Sequence, residues 1–441
     1  MTTLVWLRDD LRLGDHPALS AAAQDPDGVI LLYVLEEDSE HVRPLGAAAK
    51  WWLHHSLESL QRSLQSYEAV LVLRRGPAET VVPEVVRQTG ADRVVWNRRY
   101  GTARTHDARI KHALRSAGIA AHSYPGDLLF EPWHVATAEG NPYRVYSAFW
   151  RACASGRPPS PPLEVPVELF GARTSATSDS LESWELLPQR PDWSAGIAGR
   201  WVAGEPAAFA KLEGFLADGV QQYSRRDFPA EHTGSELSPH LRWGEISPRQ
   251  VWRHAMQAGS DVGLFLSELG WREFAKHTAY HFGPLDSRSL NTRFDAFAWR
   301  AADAGELDAW KRGRTGFGLV DAGMQELWQT GFMHNRVRMI VASLLAKNLR
   351  FDWRIGEAWF WDTLVDADEA SNPFNWQWVA GCGADAAPYF RIFNPDLQQK
   401  KFDPDGRYVD RWAPYSAALP RILDLAGSRA EALHAYRSIA H

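Results

Sequence analysis

Over residues 1–130, short β-branched and aliphatic runs alternate with stretches of helical periodicity. No other feature constrains the fold as tightly. Leu4–Leu7, Val29–Leu35, Ala69–Leu73 and Arg93–Trp96 lack a regular polar-out alternation, so each is expected as a strand covered on both faces. Gly46–Leu64, Glu79–Thr89 and Thr105–Ala117 are expected as the intervening helices. Buried strands separated by helices imply a parallel sheet, and right-handed crossovers make it Rossmann-like. No GxGxxG motif follows the first strand, so a dinucleotide role for this half is not supported.

A Pro-rich stretch (Arg157-Pro-Pro-Ser-Pro-Pro-Leu-Glu-Val-Pro166) and a small-polar tract (Gly171 to Ser180) follow, and read as an extended linker. Beyond about residue 200 the pattern is mainly helical. The expected organisation is an α/β domain over 1–130, a linker over 131–200, an all-α domain over 201–425 and a short tail over 426–441. With two cysteines, Cys153 and Cys382, the chain suits a reducing compartment and cannot hold a four-cysteine iron–sulfur cluster by itself. No metal site is expected. No secretory signal or membrane-length apolar run appears, so a cytoplasmic protein is expected, without membrane attachment. The net charge of -6 means that any nucleic-acid surface must be a local basic patch on a mildly acidic body.

The chemistry concentrates in the helical half. Asp366 to Pro395 combines two carboxylates in a short turn (Asp366, Asp368), an amide (Asn372) and an indole pair at i, i+2 (Trp376, Trp378). Two apart on a helix, the indoles point to nearly opposite sides, one to a cofactor and one to a neighbouring cavity. Glu268, Trp271 and Arg272 stand at i, i+3, i+4 and share one helical face, as do Asn335, Arg338 and Met339. The first set is a poor core stripe and a plausible floor for a base-sized polar ring. Its bland alternative is a solvated Glu–Arg pair beside a core Trp. Arg338 is suited to hold Asp366 or Asp368 bidentately. Gly234-Ser-Glu-Leu-Ser238 places hydroxyls and N–H groups ahead of a helix, a cradle for phosphate oxygens. Any Ser-rich helix start looks similar. Most of the 21 Trp are expected to fill core.

In order along the chain, Trp6-Leu-Arg-Asp-Asp-Leu-Arg-Leu-Gly-Asp-His-Pro17, Arg226-Asp-Phe-Pro-Ala, Leu237-Ser-Pro-His-Leu, Trp271-Arg-Glu-Phe, Met333-His-Asn-Arg and Tyr389-Phe-Arg-Ile-Phe-Asn-Pro395 resemble the photolyase/cryptochrome family, over almost the whole chain. The resemblance implies a light-driven enzyme in which reduced FAD passes an electron to a flipped-out cyclobutane pyrimidine dimer. It implies FAD contacts from Tyr223, Gly234, Ser235, Glu236, Leu237, Ser238, Arg338, Asp366, Asp368 and Asn372. Arg338 pairs with Asp366 in this scheme. Asn372 lies beside the reactive ring nitrogen, favouring reduced or neutral-radical flavin. Glu268 and Asn335 contact the lesion, Trp271 and Trp378 wall it, and Met339 packs on it. Met339 stands where (6-4) photolyases commonly carry His. Arg226, Arg272, Arg336, Arg391 and Gln398 match the DNA edge, and Trp376, Trp353 and Trp299 match an electron relay.

The chain departs from the family at three places. Gly234-Ser235 replaces a Thr-Ser pair, Tyr223 lies one residue nearer Arg226 than usual, and Asn97-Arg-Arg-Tyr100 is followed by Gly101 rather than Glu. The last departure leaves a folate, a deazaflavin, a second flavin (FMN) or no antenna open. The expected partner is UV-damaged DNA, single- or double-stranded, met by a monomer. The alternatives are a signalling cryptochrome, which a short tail argues against, and a (6-4) photolyase.

Overall fold

In the computed structural model the described residues are all but Met1, Arg173, Ser175, Ser260, Ala387–Tyr389, Ala440 and His441. Tyr389, which opens one of the motifs above, therefore lies outside them. Strands β1 (Thr3–Leu7), β2 (Val29–Leu35), β3 (Leu71–Arg75), β4 (Arg93–Asn97) and β5 (Ala120–Tyr124) form a parallel sheet in the order β3-β2-β1-β4-β5. Val5 pairs across β1 with Leu31 on one side and Val95 on the other. Side chains alternate between two cores, as the pleat requires. Val5, Leu7, Leu31 and Val95 pack toward the helix Ala47–Leu64, while Leu4, Trp6, Leu32 and Val94 pack toward Ala78–Thr89 and Ala103–Ser116.

Two elements of this domain were not expected. The edge strand β5 reads Ala-Ala-His-Ser-Tyr and has little apolar signal, because only one neighbour and one covered face support it. The helix Pro17–Ala22 is a single short segment started by His16, whose ring accepts the Leu19 N–H. The third strand lies two residues later than Ala69–Leu73.

Residues between the two halves are tied down. Val29 bridges Gly171, the Asp179 N–H donates to the Leu73 carbonyl, and Leu169 and Leu181 are buried. The stretch also holds the helix Tyr146–Ser155, packed on Gly263–Phe282. At the far end, where a tail begins in the sequence reading, Leu425–Arg437 forms a helix with Ala432 and Ala435 buried in the main helical core.

The polar residues of the opening motif join the halves. Arg12, 2% exposed, donates to the Gly244 and Gly126 carbonyls at 2.9 and 2.7 Å. Asp9 pairs with Arg242 at 2.7 Å and Asp15 with Arg249 at 2.8 Å. These contacts fix the geometry of the boundary, since separating the halves takes the Gly244 acceptor from Arg12 and the guanidinium partners from Asp9 and from buried Asp15.

Candidate functional site

The site is organised by the turn after the helix Trp353–Thr363. Asp366 is buried and three donors hold it: Arg338 Nη1 and Nη2 at 3.1 and 2.8 Å, and Ser238 Oγ at 2.6 Å. Arg338 also donates through Nε to the Met333 carbonyl at 2.7 Å, so the fork cannot swing. Asp368 accepts the Ala370 and Ser371 N–H groups at 2.8 and 2.7 Å and so caps the start of Ser371–Ala380. Burial works against its charge, yet Lys276, the Ser371 N–H, Arg272 and Arg242 outweigh it and hold Asp368 below the usual carboxylate range. Asn372, on the first turn of that helix, donates through Nδ2 to the Glu357 carbonyl at 3.1 Å and to Glu357 Oε1 at 2.8 Å. Both partners accept from Nδ2, so the amide oxygen faces away from them.

On the opposite wall, Glu236 turns through a left-handed conformation (φ 52°) and pairs with Arg200 and Lys211 at 2.8 and 2.9 Å. Leu237 is buried, and Ser238 opens the short helix Ser238–Arg242. The Tyr223 ring packs against Phe215 and Phe265 under the Arg226 guanidinium, and burial pushes its phenol well up. A side chain at Gly234 would meet nothing within 4 Å. One residue earlier, Thr233 is buried and its hydroxyl has no protein partner. The hydroxyl that Gly234 lacks is therefore present next door, available to a bound group. Thr233→Val is expected to weaken flavin binding by about fivefold, the worth of one hydrogen bond of about 1 kcal/mol. The flavin-free protein should melt at its parent temperature, because no protein hydrogen bond is lost. Flavin titration and a melting curve check the two halves.

A third wall carries the lesion candidates. On Gly263–Phe282, Glu268 is half-buried and accepts Arg226 Nη2 at 2.9 Å. Trp271 lies one turn on, stacked on Tyr146 with centroids 3.7 Å apart. Asn335 begins the helix Asn335–Ser343 and is exposed; Met339 is half-buried, with its sulfur 3.7 Å from Arg336 Nη1. Arg336 pairs with Asp227 at 2.6 Å, so Arg226 and Asp227 tie the Glu268 helix to the Met339 helix. Trp378 is half-buried and donates its indole N–H to the Asp385 carbonyl at 3.1 Å. Arg391 is exposed and Gln398 half-buried on the helix Pro395–Phe402. Arg272 is elsewhere. Its guanidinium is forked on Asp127, across the boundary with the α/β half, and is not at an open edge. A helical face predicts which residues align, not which partner claims them.

The three relay candidates fall on neighbouring segments with graded exposure. Trp376 (2%) and Trp353 (0%) are buried, Trp299 is half-buried, and the first two indole N–H groups have no partner. A methyl group on Gly356, one turn beyond Trp353, would overlap the Trp376 ring. Arg300 bridges Phe351, bringing Trp299 beside the start of the Trp353 helix. Trp376 also meets Phe360 edge-on at 5.0 Å.

Sequence reasoning missed Thr233, Glu357 and Tyr146. A hydroxyl beside the cradle and a carboxylate four residues after Trp353 were visible signals for the first two. Nothing in the chain marks Tyr146, whose hydroxyl donates to the Ser267 carbonyl at 2.5 Å. At Gly101, any Cβ would overlap the Glu369 carboxylate, which fills the space a side chain there would need.

An α/β domain riveted to a helical one, with a buried carboxylate turn, an amide held against Glu357 and an orphaned buried hydroxyl, is the architecture the sequence reading expects of a two-domain flavoprotein. Residues 3–166 match the family model for DNA photolyase, and residues 265–432 match that for the FAD binding domain of DNA photolyase. The chain is 49% identical to a deoxyribodipyrimidine photo-lyase of Agrobacterium fabrum, over 95% of this chain and 88% of that protein. It is 36% identical to cryptochrome-1 of Arabidopsis thaliana, over 95% of this chain and 63% of that one. A bacterial class III photolyase structure from Agrobacterium tumefaciens superposes with a TM-score of 0.94 at 45% identity, covering 99% and 97% of the two chains. The chain belongs to the DNA photolyase family, and its cofactor is FAD. The residues present suit such a group: the buried Thr233 hydroxyl has no protein partner, the Asn372 oxygen is turned away from Glu357, and the Arg338–Asp366–Ser238 group would add a polar surface for a bound cofactor.

Proposed function

We propose that this chain repairs cyclobutane pyrimidine dimers in DNA under blue light. One observation carries the reading. Glu268, Trp271, Asn335, Met339 and Trp378 come from three helices: Arg226 and Asp227 tie the Glu268 helix to the Met339 helix, and both pack against Ser371–Ala380, which carries Asn372 and Trp378. Bound in that pocket, FAD supplies light absorption and the electron.

The chain's own residues bind, orient and exclude water. Arg338, Asp366, Asp368 and the Thr233–Ser238 segment would hold the cofactor, and the Asn372 carbonyl oxygen would be offered to its ring. Trp271 and Trp378 offer aromatic faces to the two pyrimidines, and Tyr146 backs Trp271 from behind. Glu268 meets the polar edge of the dimer, with Arg226 balancing its charge at the mouth. Asn335 reaches both cofactor and lesion, while Met339 gives an apolar contact on the dimer. Arg226, Arg336, Arg391 and Gln398 meet the phosphates, independently of sequence and with marked salt dependence. Trp376, Trp353 and Trp299 would form the indole path from the surface toward the cofactor, by which its oxidised form could be reduced. In this reading the protein works as a monomer in the cytoplasm. No helix among the described residues is long and apolar enough to cross a membrane.

The test is thymine recovery in UV-irradiated oligothymidine after adding chemically reduced protein, in blue light and in darkness. Light-dependent recovery supports dimer repair. No recovery from protein that holds photoreducible flavin moves the reading to a signalling cryptochrome or a (6-4) enzyme. Glu268→Ala should lower the repair yield by about one order of magnitude, the worth of a hydrogen bond to a charged group. Flavin content should stay at the parent level, and an unchanged yield would take Glu268 out of the mechanism.

A further inference from the structure

The segment before the helix Ala47–Leu64 belongs to the α/β half, yet one of its side chains reaches into the cofactor wall. Arg43 forks onto Glu357, Nη1 to Oε1 at 2.7 Å and Nη2 to Oε2 at 3.0 Å. Its guanidinium also lies 4.2 Å from the Trp361 ring centroid, which presets the side chain for the fork. Glu357 is 2% exposed, and the oxygen that takes Nη1 is the same one that accepts Asn372 Nδ2. A continuous hydrogen-bonded chain therefore runs from a half-buried arginine of one domain, through a buried carboxylate, to the Asn372 amide.

We propose that Arg43 is a positioning residue for the flavin pocket: by pairing with Glu357 it keeps that group a pure acceptor, and so fixes which end of the Asn372 amide the cofactor meets. The inference rests on the reading that Asn372 faces the flavin. Its logic is donor and acceptor accounting. An ionised Glu357 can only accept, so Asn372 must offer it Nδ2 and turn Oδ1 to the pocket. A protonated Glu357 carries an O–H and can donate to Oδ1, which removes the stronger of the two constraints on the amide and leaves only the Glu357 backbone carbonyl holding Nδ2.

The groups facing Glu357 decide between these states. Burial holds the Glu357 carboxyl above the usual range; Arg43 offsets part of that rise, Asp286 adds to it and Asn372 opposes it. Arg43 is the cation among them. It also lines a small interdomain pocket with Gly101, Thr102, Leu285, Asp286 and Glu369. Without it a buried carboxylate has no counter-ion and takes up a proton instead. The amide oxygen is what an N–H of a reduced flavin ring would donate to, so the effect falls on the balance between redox states.

The experiment is redox titration of the bound flavin against pH in the parent, Arg43→Gln, Arg43→Lys, Glu357→Gln and the Arg43→Gln/Glu357→Gln double variant. Flavin stoichiometry and thermal melting are followed alongside. Arg43→Gln and Glu357→Gln should each change the relative affinity for oxidised and reduced flavin about tenfold, about 30 mV for a two-electron couple. The double variant should move no further, since both changes act on one element. Arg43→Lys keeps the charge without the fork and should return most of the shift. Glu357→Gln needs no counter-ion, so its background keeps the test available if Arg43→Gln alone does not fold. An additional shift from Arg43→Gln in that background overturns the inference. So does a parent potential in Arg43→Gln together with a shifted one in Asn372→Ala, which leaves the Asn372 reading standing. A parent potential in Asn372→Ala removes that reading and this inference with it.

Discussion

Replacing Trp376 with Phe is expected to abolish light-driven reduction of the bound flavin while chemically reduced protein still repairs dimers. Benzene gives up an electron far less readily than indole, so the chain of donors is cut at the link nearest the cofactor. The change also tests the bland alternative, that Trp376 is simply core. It is 2% exposed, packs edge-on against Phe360 and presses on Gly356. A smaller ring leaves a void there, expected to cost on the order of 2 kcal/mol. A purely structural Trp would give that loss with photoreduction at the parent rate, and that pairing would remove the relay. Trp353 and Trp299 predict the same pattern at successive distances, and Trp299, half-buried, should cost the least stability.

Arg338→Leu is expected to lower both stability and flavin content. It leaves Asp366 buried with Ser238 as its remaining side-chain donor. Breaking one partner from a buried pair typically costs about 3–5 kcal/mol. The lower end applies, because the Arg338 side chain is 24% exposed and water shares part of the load. Denaturant unfolding of the flavin-free protein reads the stability term, and the absorbance ratio of purified protein reads flavin content. Adding Asp366→Asn to Arg338→Leu removes the stranded charge and should return part of the lost stability. A double variant no more stable than Arg338→Leu alone would mean that the fork, not the uncompensated charge, carries the effect.

Local pattern and tertiary placement divide sharply in this protein. The α/β half was legible because a buried parallel strand is written as an unbroken apolar run, and β1, β2 and β4 are such runs. The edge strand β5 is covered less and needs no such composition, so it left no mark. In the helical half, i, i+3, i+4 spacing correctly placed Glu268 with Trp271, and Asn335 with Arg338 and Met339. A short acidic turn offered Asp366 or Asp368 to Arg338, the family resemblance chose Asp366, and the fork falls on Asp366.

By itself, then, the sequence determined four of the five strands, the helical faces, the order of the motifs and the family they belong to. All of these depend on residues close together in the chain. Only the tertiary structure decided which partner each polar group takes. Arg272 shares a face with Glu268 but is claimed by Asp127, which lies outside that helix and is 145 residues away in sequence. Glu357 meets Arg43 across 314 residues, Tyr146 meets Trp271 across the stretch expected as a linker, and Thr233 holds the hydroxyl expected at position 234. Spacing along one element sets direction, but partnership is settled by which groups the packed core leaves within reach of one another.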